Sequence, residues 1–313
     1  MNIPSSIVAI LGTGAWGTAL GKIAQSNQHE VRFWSHRGNI TLESVVQDAT
    51  VVVSAVSMKG VIPTANQLRS LDISPDKVIV TATKGLDPNT TLTPSQIWQQ
   101  IFPHNPVVVL SGPNLSAEIA QGLPAATVLA SQNLAAATKV QRIFATDTFR
   151  VYVNQDPIGT ELGGTLKNVI AIASGVCDGM KLGTNAKSAL LTRALPEMIR
   201  VGTHFGASAE TFFGLSGLGD LIATCDSSLS RNYQVGFGLA TGKTQTQILA
   251  NLEGTAEGIN TTKVLIKLAD SEAIAVPISR QVDRLLKGKI TPQEAIQALM
   301  ERDLKPEFCD LDW

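Results

Sequence analysis

Residues 7–17 read I-V-A-I-L-G-T-G-A-W-G, and no other stretch of the chain restricts its fold as tightly. A short β-branched apolar run ends in G-x-G-x-x-G, and helix-forming residues 18–25 come next. A strand that passes straight into a helix through three such glycines is the opening βαβ unit of a parallel sheet. Gly12 permits the sharp turn, Gly14 lets a pyrophosphate approach the backbone, and Gly17 lets the helix pack closely. Free N–H groups and the positive dipole end at the helix start favour phosphates. Gly12, Thr13, Gly14, Trp16 and Gly17 are therefore the candidate loop for a dinucleotide cofactor. Trp16 is placed by geometry to cover it, with simple packing as the plainer alternative.

The rest of the first half repeats the strand–helix alternation. Near-continuous apolar runs at 7–11, 31–34, 50–55, 78–82, 107–110 and 127–130 read as strands buried on both faces. Helical stretches at 94–101, with Thr93 as N-cap, and at 134–145 lie between them. After about Val153 strand signals stop and apolar residues recur at helical spacing: 158–177, 186–205, 234–241, 258–270, 278–286 and 292–300. Thr291-Pro292-Gln293-Glu294 opens the last of these with a Thr cap and Pro at the first helical position. The expected fold class is α/β: a Rossmann-type doubly wound, mostly parallel sheet over residues 1–153, followed by an all-helical domain over 154–313. Between Trp34 and Thr50 there is room for one short crossover helix, near 42–47, and for no further helix and strand.

Charge narrows the partners. Lys plus Arg is 25 and Asp plus Glu is 26, a net charge of −1. A near-neutral chain has no broad basic surface, so nucleic acid is not an expected partner, and any anion must be held by a few placed cations. Cys177, Cys225 and Cys309 are odd in number and far apart, and the histidines show no ligand spacing. A disulfide framework or metal site is not expected, and reduced thiols point to the cytoplasm. No signal-peptide pattern and no membrane-length apolar run is expected to act on the chain.

A site for the ribose of NAD commonly has an acidic residue after the second strand. Here that position reads F-W-S-H-R, residues 33–37. A carboxylate would repel a 2′-phosphate, whereas Arg37 with His36 attracts one, so NADP(H) is the expected cofactor and NAD(H) is not strongly excluded. The bland alternative is a pair of ordinary loop residues.

Strings along nearly the whole chain carry a family resemblance. They are G-T-G-A-W-G-T-A-L (12–20), T-K-G-L (83–86), L-S-G-P-N (110–114), E-L-G-G-T-L-K-N-V-I-A-I-A-S-G (161–175), T-F-F-G-L-S-G-L-G-D-L (211–221), S-R-N (230–232) and A-E-G-I-N-T-T (256–262). In this order they closely resemble the bacterial-type NAD(P)-dependent glycerol-3-phosphate dehydrogenases. The resemblance implies interconversion of sn-glycerol 3-phosphate and dihydroxyacetone phosphate by hydride transfer, a product that feeds glycerophospholipid synthesis, and a homodimer. Family members usually carry an extra helix and strand after the second strand. Their absence here puts the strand count and the adenine contacts in question.

The same resemblance marks site residues. Lys167 becomes the proton donor and acceptor, since removing a hydride from a secondary alcohol also requires removing its hydroxyl proton. Taken alone, a helical lysine is more often solvated, but Gly163 and Gly164 one turn earlier allow another element or a cofactor to come close. Lys84, just past a strand end, is implied to touch substrate and nicotinamide. Gly112 and Asn114 are implied near substrate and Ser116 near cofactor, with helix capping as the alternative for Asn114. Ser230-Arg231-Asn232 looks like a phosphate clamp at a helix start, with Arg231 also near the cofactor. Asp220 resembles the substrate-site aspartate, binding a hydroxyl or orienting Lys167. Glu257 resembles a cofactor contact, although Glu253-Gly254 has the same form. Two other readings stay open: a reductase of hydroxy acids, and a non-catalytic NADP(H)-binding protein. The second has no reason to keep Lys167, Asp220 and Arg231 together.

Overall fold

The computed structural model describes residues 5–252, 254–304 and 306–307. Cys309 and Glu253 lie outside them. The first of two compact units ends at Glu161 and leaves out Pro88–Thr91, which groups with the second unit, from Leu162 onward. This division lies inside a helix, eight residues beyond the boundary at 153 read from the sequence.

The first unit runs β1 (Ile7–Leu11), α1 (Ala15–Ser26), β2 (Glu30–Trp34), α2 (Leu42–Val46), β3 (Val51–Ser54), α3 (Met58–Arg69), β4 (Val78–Thr81), α4 (Pro94–Ile101), β5 (Val107–Ser111), α5 (Ser116–Ala120), β6 (Ala125–Ala130), α6 (Leu134–Phe144) and β7 (Phe149–Asn154). The strands form one sheet in the order β2-β1-β3-β4-β5-β6-β7. Every pair is parallel except β5 with β6. Side chains alternate between faces along each strand, so Val8, Ile10, Val51, Val53, Val80 and Leu110 join one core with Leu20 and Phe144. Ala9, Leu11, Val52 and Ile79 join the opposite core with Val61, Leu68 and Trp98. Two buried faces explain why these strands read as unbroken apolar runs.

The short crossover is as the spacing predicts: α2 is five residues long, and Thr41 accepts a hydrogen bond from the Ser44 N–H at its start (3.3 Å). Among the described residues β2 is the edge strand, β1 lies between β2 and β3, and the order reverses beside the glycine turn. Ligands of open α/β sheets bind at such reversals, at the carboxyl ends of the strands.

The seventh strand was not expected from the sequence. Phe149–Asn154 alternates buried and exposed residues at its start, and its pairing is with β6. An edge strand with one solvated face has no continuous apolar run to betray it.

The second unit is helical: α7 (Pro157–Gly179), which begins in the first unit, α8 (Gly183–His204), α9 (Asp220–Cys225), α10 (Arg231–Ala240), α11 (Gln245–Ala250), α12 (Glu257–Ser271), α13 (Pro277–Leu286) and α14 (Pro292–Met300). A 3₁₀ turn at Ala209–Phe213 and a π-helical turn at Leu215–Gly219 precede α9. The Thr291–Glu294 capping box is present at α14, and a Thr93–Gln96 box at α4. Among the described residues no helix is long and apolar enough to cross a membrane.

Some helix starts are capped from a distance. At α13 the N-cap is Val276, which offers no side-chain acceptor. The buried Glu197 carboxylate on α8 instead accepts from the backbone N–H groups of Ile278 (2.8 Å) and Ser279 (2.9 Å) and from the Ser279 hydroxyl (2.6 Å). At α4, Glu161 accepts from the Ser95 backbone (2.9 Å) and hydroxyl (2.5 Å).

Burial pushes the Glu161 carboxyl up to about 7, against the opposing pull of its hydrogen bonds from Ser95 and Thr93. The folded protein therefore holds this proton between about pH 4.5 and 7, where the unfolded chain has lost it. The associated stability is full below about pH 4.5 and is lost as the pH rises toward 7. Glu161→Gln is expected to remove that fall, on the order of 3 kcal/mol in total at roughly 1.4 kcal/mol per unit. Denaturant unfolding of both proteins across this pH range checks it; parallel curves would show that Glu161 does not titrate there.

Candidate functional site

In the first unit the glycine turn has the shape a bound pyrophosphate needs. Gly12 has φ +113°, and a Cβ there would lie 2.6 Å from the Ala55 carbonyl oxygen. At Gly17 a Cβ would run into the Gly12 carbonyl, so these two glycines lock the turn against β3 and itself. Gly14 differs: a Cβ built on it meets nothing within 4 Å. It is also the N-cap of α1 and makes no side-chain cap bond, so the first-turn N–H groups of a twelve-residue helix stand beside open space. That suits an anionic group. Trp16 is half-buried against the sheet core, and Thr13, His36 and Arg37 are exposed.

Also in this unit, Lys84 Nζ donates to the Gly112 carbonyl (3.4 Å), so T-K-G-L and S-G-P-N come together at the strand ends. Gly112 has φ +146°. Asn114 is not a helix cap: Leu115 holds that place at α5. Its amide instead ties the turn to β6, donating to the Ala126 carbonyl (3.1 Å) and accepting from the Thr127 hydroxyl (2.9 Å). Ser116 is half-buried on α5.

The second unit holds a buried polar group built on α7 and α9. Lys167 Nζ donates to Asp220 Oδ1 (2.8 Å) and Thr224 Oγ1 (2.5 Å), and the Thr224 hydroxyl donates to Asp220 Oδ1 (3.1 Å). All three are at most 7% exposed. The sequence explains the placement. Gly163 lies one turn before Lys167, and a Cβ there would come 2.8 Å from the Ser216 carbonyl. The π-helical turn therefore reaches α7 and delivers Asp220 at the start of α9. Two turns beyond Lys167, Ser174 donates to the Cys225 carbonyl (2.9 Å) and fixes the register of the two helices. Cys225 itself is inert, its thiol pushed up to about 12 by burial. Thr224 escaped the sequence reading. The usable signal is its spacing, four residues after Asp220 and hence on the same helix face.

Taking two charges out of water is costly unless they are paired and hydrogen-bonded. Here the ammonium has a carboxylate and a hydroxyl as neighbours, so the pair survives burial and the lysine is held in one direction. An ammonium held in this way can hand a proton in one direction.

Ser230, Arg231 and Asn232 open α10, and only Arg231 is exposed. Ser230 is the N-cap, accepting from the Tyr233 N–H (3.3 Å). Asn232 is buried: it donates to Asn168 Oδ1 (2.9 Å) and accepts from the Gly258 N–H (2.9 Å). Of the three residues of the expected clamp, Arg231 is exposed, and Ser230 and Asn232 make hydrogen bonds within the protein. Arg231 lies against the loop before α12, since a Cβ on Gly254 would come 2.5 Å from its Nη1. Half-buried Glu257 follows at the first position of α12. Outside this group, Lys187 joins Asp178 (2.8 Å) to Asp226 (3.2 Å) and steadies the segment leading to Ser230. A cavity of about 560 Å³ among α8, α13 and α14 includes none of the candidate residues.

Comparison with known proteins identifies the family. Residues 156–297 match the model of the NAD-dependent glycerol-3-phosphate dehydrogenase C-terminus. Residues 7–43 and 39–137 match the N-terminus of the same family in two pieces, and the break falls at the short crossover after β2. A glycerol-3-phosphate dehydrogenase [NAD(P)+] of Acaryochloris marina is 64% identical over 98% of this chain and 99% of that protein. One from Synechocystis sp. is 63% identical over 97% and 96%. The near-equal lengths show that relatives of this size exist with the same name. The crystal structure of a glycerol-3-phosphate dehydrogenase from Coxiella burnetii superposes with a TM-score of 0.91 at 33% identity, covering 95% of this chain and 99% of that one.

Proposed function

The chain belongs to the NAD-dependent glycerol-3-phosphate dehydrogenase family, and from that premise we propose that it interconverts sn-glycerol 3-phosphate and dihydroxyacetone phosphate, preferring NADP(H) and accepting NAD(H). The observation that carries the reading is the buried Lys167–Asp220–Thr224 group. A pure binding protein has no use for a desolvated, oriented ammonium. The open space over Gly14 and the uncapped start of α1 fit the cofactor's pyrophosphate, and exposed His36 and Arg37 fit a 2′-phosphate. When bound, the nicotinamide supplies or takes the hydride.

The residues divide the remaining work. In ketone reduction the Lys167 ammonium, paired with Asp220, gives a proton to the oxygen that becomes the alcohol. In the reverse direction it takes that proton. Asp220 balances its charge and Thr224 fixes its direction. Arg231, with the first N–H groups of α10, holds the phosphate of the substrate. Lys84, Gly112 and Asn114 serve substrate, while Thr13, Gly14, Trp16, Ser116 and Glu257 serve cofactor. We also propose a cytoplasmic homodimer, on the family resemblance alone.

The test is consumption of NADPH, followed by nicotinamide absorbance, with dihydroxyacetone phosphate, with unphosphorylated dihydroxyacetone, and with NADH in parallel. Fast turnover of the phosphorylated ketone and a preference for NADPH are expected. Binding of NADPH without turnover of either ketone would leave a binding protein. Preference for NADH would remove the role of His36 and Arg37.

A further inference from the structure

Arg231 sits in a stretch of chain with an anchor on each side, and both anchors meet near one lysine. Lys187, near the start of α8, donates to Asp178 Oδ2 near the end of α7 (2.8 Å) and to Asp226 Oδ1 just past α9 (3.2 Å). Asp178 Oδ2 also accepts from the Tyr233 hydroxyl of α10 (2.8 Å). The Lys187 ammonium lies 5.7 Å from the centre of the Tyr233 ring, within reach of a cation–π attraction. In the chain, Asp226 stands before Arg231 and Tyr233 after it. We propose that Lys187 is a positioning residue for the grip on the substrate phosphate: with Asp178 it gathers the two flanks of Arg231 to one point and so limits where the guanidinium can go. The proposal rests on the dehydrogenase reading and on the role of Arg231 within it.

The two flanks need this anchor to different degrees. On the far side, Tyr233 is held by packing as well: a Cβ on Gly175 of α7 would run into its carbonyl. Its hydroxyl therefore reaches Asp178 from a fixed place. Burial and the Asp178 bond push the Tyr233 hydroxyl up to about 12, so it remains a donor at neutral pH. On the near side, the stretch from Asp226 to Ser230 leans on short-range bonds. The Ser230 N–H donates to the Ser227 carbonyl (3.0 Å), the Leu229 N–H to the Ser227 hydroxyl (3.2 Å), and Gln234 of α10 to the Ser228 carbonyl (2.8 Å). These bonds shape the stretch and join it to α10, while the Asp226 N–H joins it to Ile222 of α9 (3.0 Å). Leu229 is 60% exposed, so burial of that side chain does little to hold the stretch. The bond from Lys187 ties it to α8 and, through Asp178, to α7. An ammonium suits this corner because its donors diverge and can serve two carboxylates at once. The Asp226 side chain is 81% exposed, so water screens its pair with Lys187. Cutting that pair should shift recognition severalfold and leave the fold standing.

The experiment compares Lys187→Met, Lys187→Arg, Asp226→Ala and the double variant Lys187→Met/Asp226→Ala in the full-length enzyme. Methionine keeps the apolar stem and removes the charge. In Lys187→Met the KM for dihydroxyacetone phosphate should rise about three- to fivefold, the value of a partly screened ion pair. Its kcat should stay within about twofold, since the loss falls on binding rather than on the proton step. Turnover of unphosphorylated dihydroxyacetone, which offers Arg231 no phosphate, should not change. Lys187→Arg keeps the charge and should recover most of the loss. Asp226→Ala should raise the same KM, and the double variant should be no worse than Lys187→Met, because both substitutions cut one tie. An unchanged KM in Lys187→Met, or equal losses on both ketones, would overturn the proposal, the second by showing a general packing defect. If Lys187→Met does not fold, Asp226→Ala decides alone, since its exposed side chain leaves the core untouched. If the wild type turns over neither ketone, the dehydrogenase reading has failed. Calorimetric binding of glycerol 3-phosphate then tests the anchor: Lys187→Met and Asp226→Ala must both weaken it severalfold, and unweakened or absent binding would overturn the proposal.

Discussion

Lys167→Ala is expected to lower kcat by a factor of about 10²–10⁴, the range for loss of a positioned proton carrier, while NADPH binds with nearly unchanged affinity. The same substitution should also destabilise the fold. It strands the Asp220 carboxylate, 2% exposed, with Thr224 as its remaining partner from the triad, and breaking a buried ion pair from one side costs about 3–5 kcal/mol. The two losses separate in the double variant Lys167→Ala/Asp220→Ala, which removes both charges. Stability should return toward wild type and turnover should not. Steady-state kinetics and denaturant unfolding on the three proteins decide the matter. Substantial turnover in either variant would take the proton role away from Lys167. An unchanged unfolding midpoint in Lys167→Ala would mean that the pair contributes nothing to the fold.

Gly236→Ala should destabilise the protein by about 3 kcal/mol or more, although alanine is the better helix former by about 1 kcal/mol. The sign is set by packing. A Cβ on Gly236 of α10 would be driven into the Ile172 carbonyl of α7, and a Cβ on Gly175 of α7 into the Tyr233 carbonyl of α10. Both partners are backbone, which cannot swing away as a side chain can, so the two helices would have to part. Asn168 and Asn232 lie one turn back along these same helices, so kcat/KM should fall together with stability. Denaturant midpoints and kinetics measure both effects. A stabilised variant would show that the helices are not in the close contact described.

The sequence is legible where local chemistry and tertiary demand coincide. The glycine turn, the buried strands of the sheet and the short crossover after Trp34 all announce themselves within a window of some fifteen residues. Less visible are features fixed by distant partners. Strand β7 is half-solvated, so it shows alternation in place of an apolar run. The π-helical turn at Leu215–Gly219 reads simply as a glycine-rich loop until Gly163 is seen to admit it. Asn232 reads as part of a clamp because it sits beside Arg231 in the chain. Only its partners, on α7 and α12, show it facing inward. Thr224 needed no more than the helical period, counted from Asp220.

The remote caps have a consequence for how the helical unit comes apart. A helix with its own Ser or Thr cap can fray and reform alone. The starts of α12 and α13 cannot, because their acceptors, Asn232 and Glu197, stand 26 and 81 residues earlier in the chain. Opening either helix unseats a buried amide or carboxylate on a neighbour, which is then left without its donors. Local motion of one helix end is thereby converted into an event of the whole bundle. The first-turn amides of α12 and α13 should exchange with solvent in the same cooperative step as the core of α7 and α8, well after the first turn of α1, which makes no side-chain cap bond. Rigidity is thus concentrated behind Lys167 and Arg231.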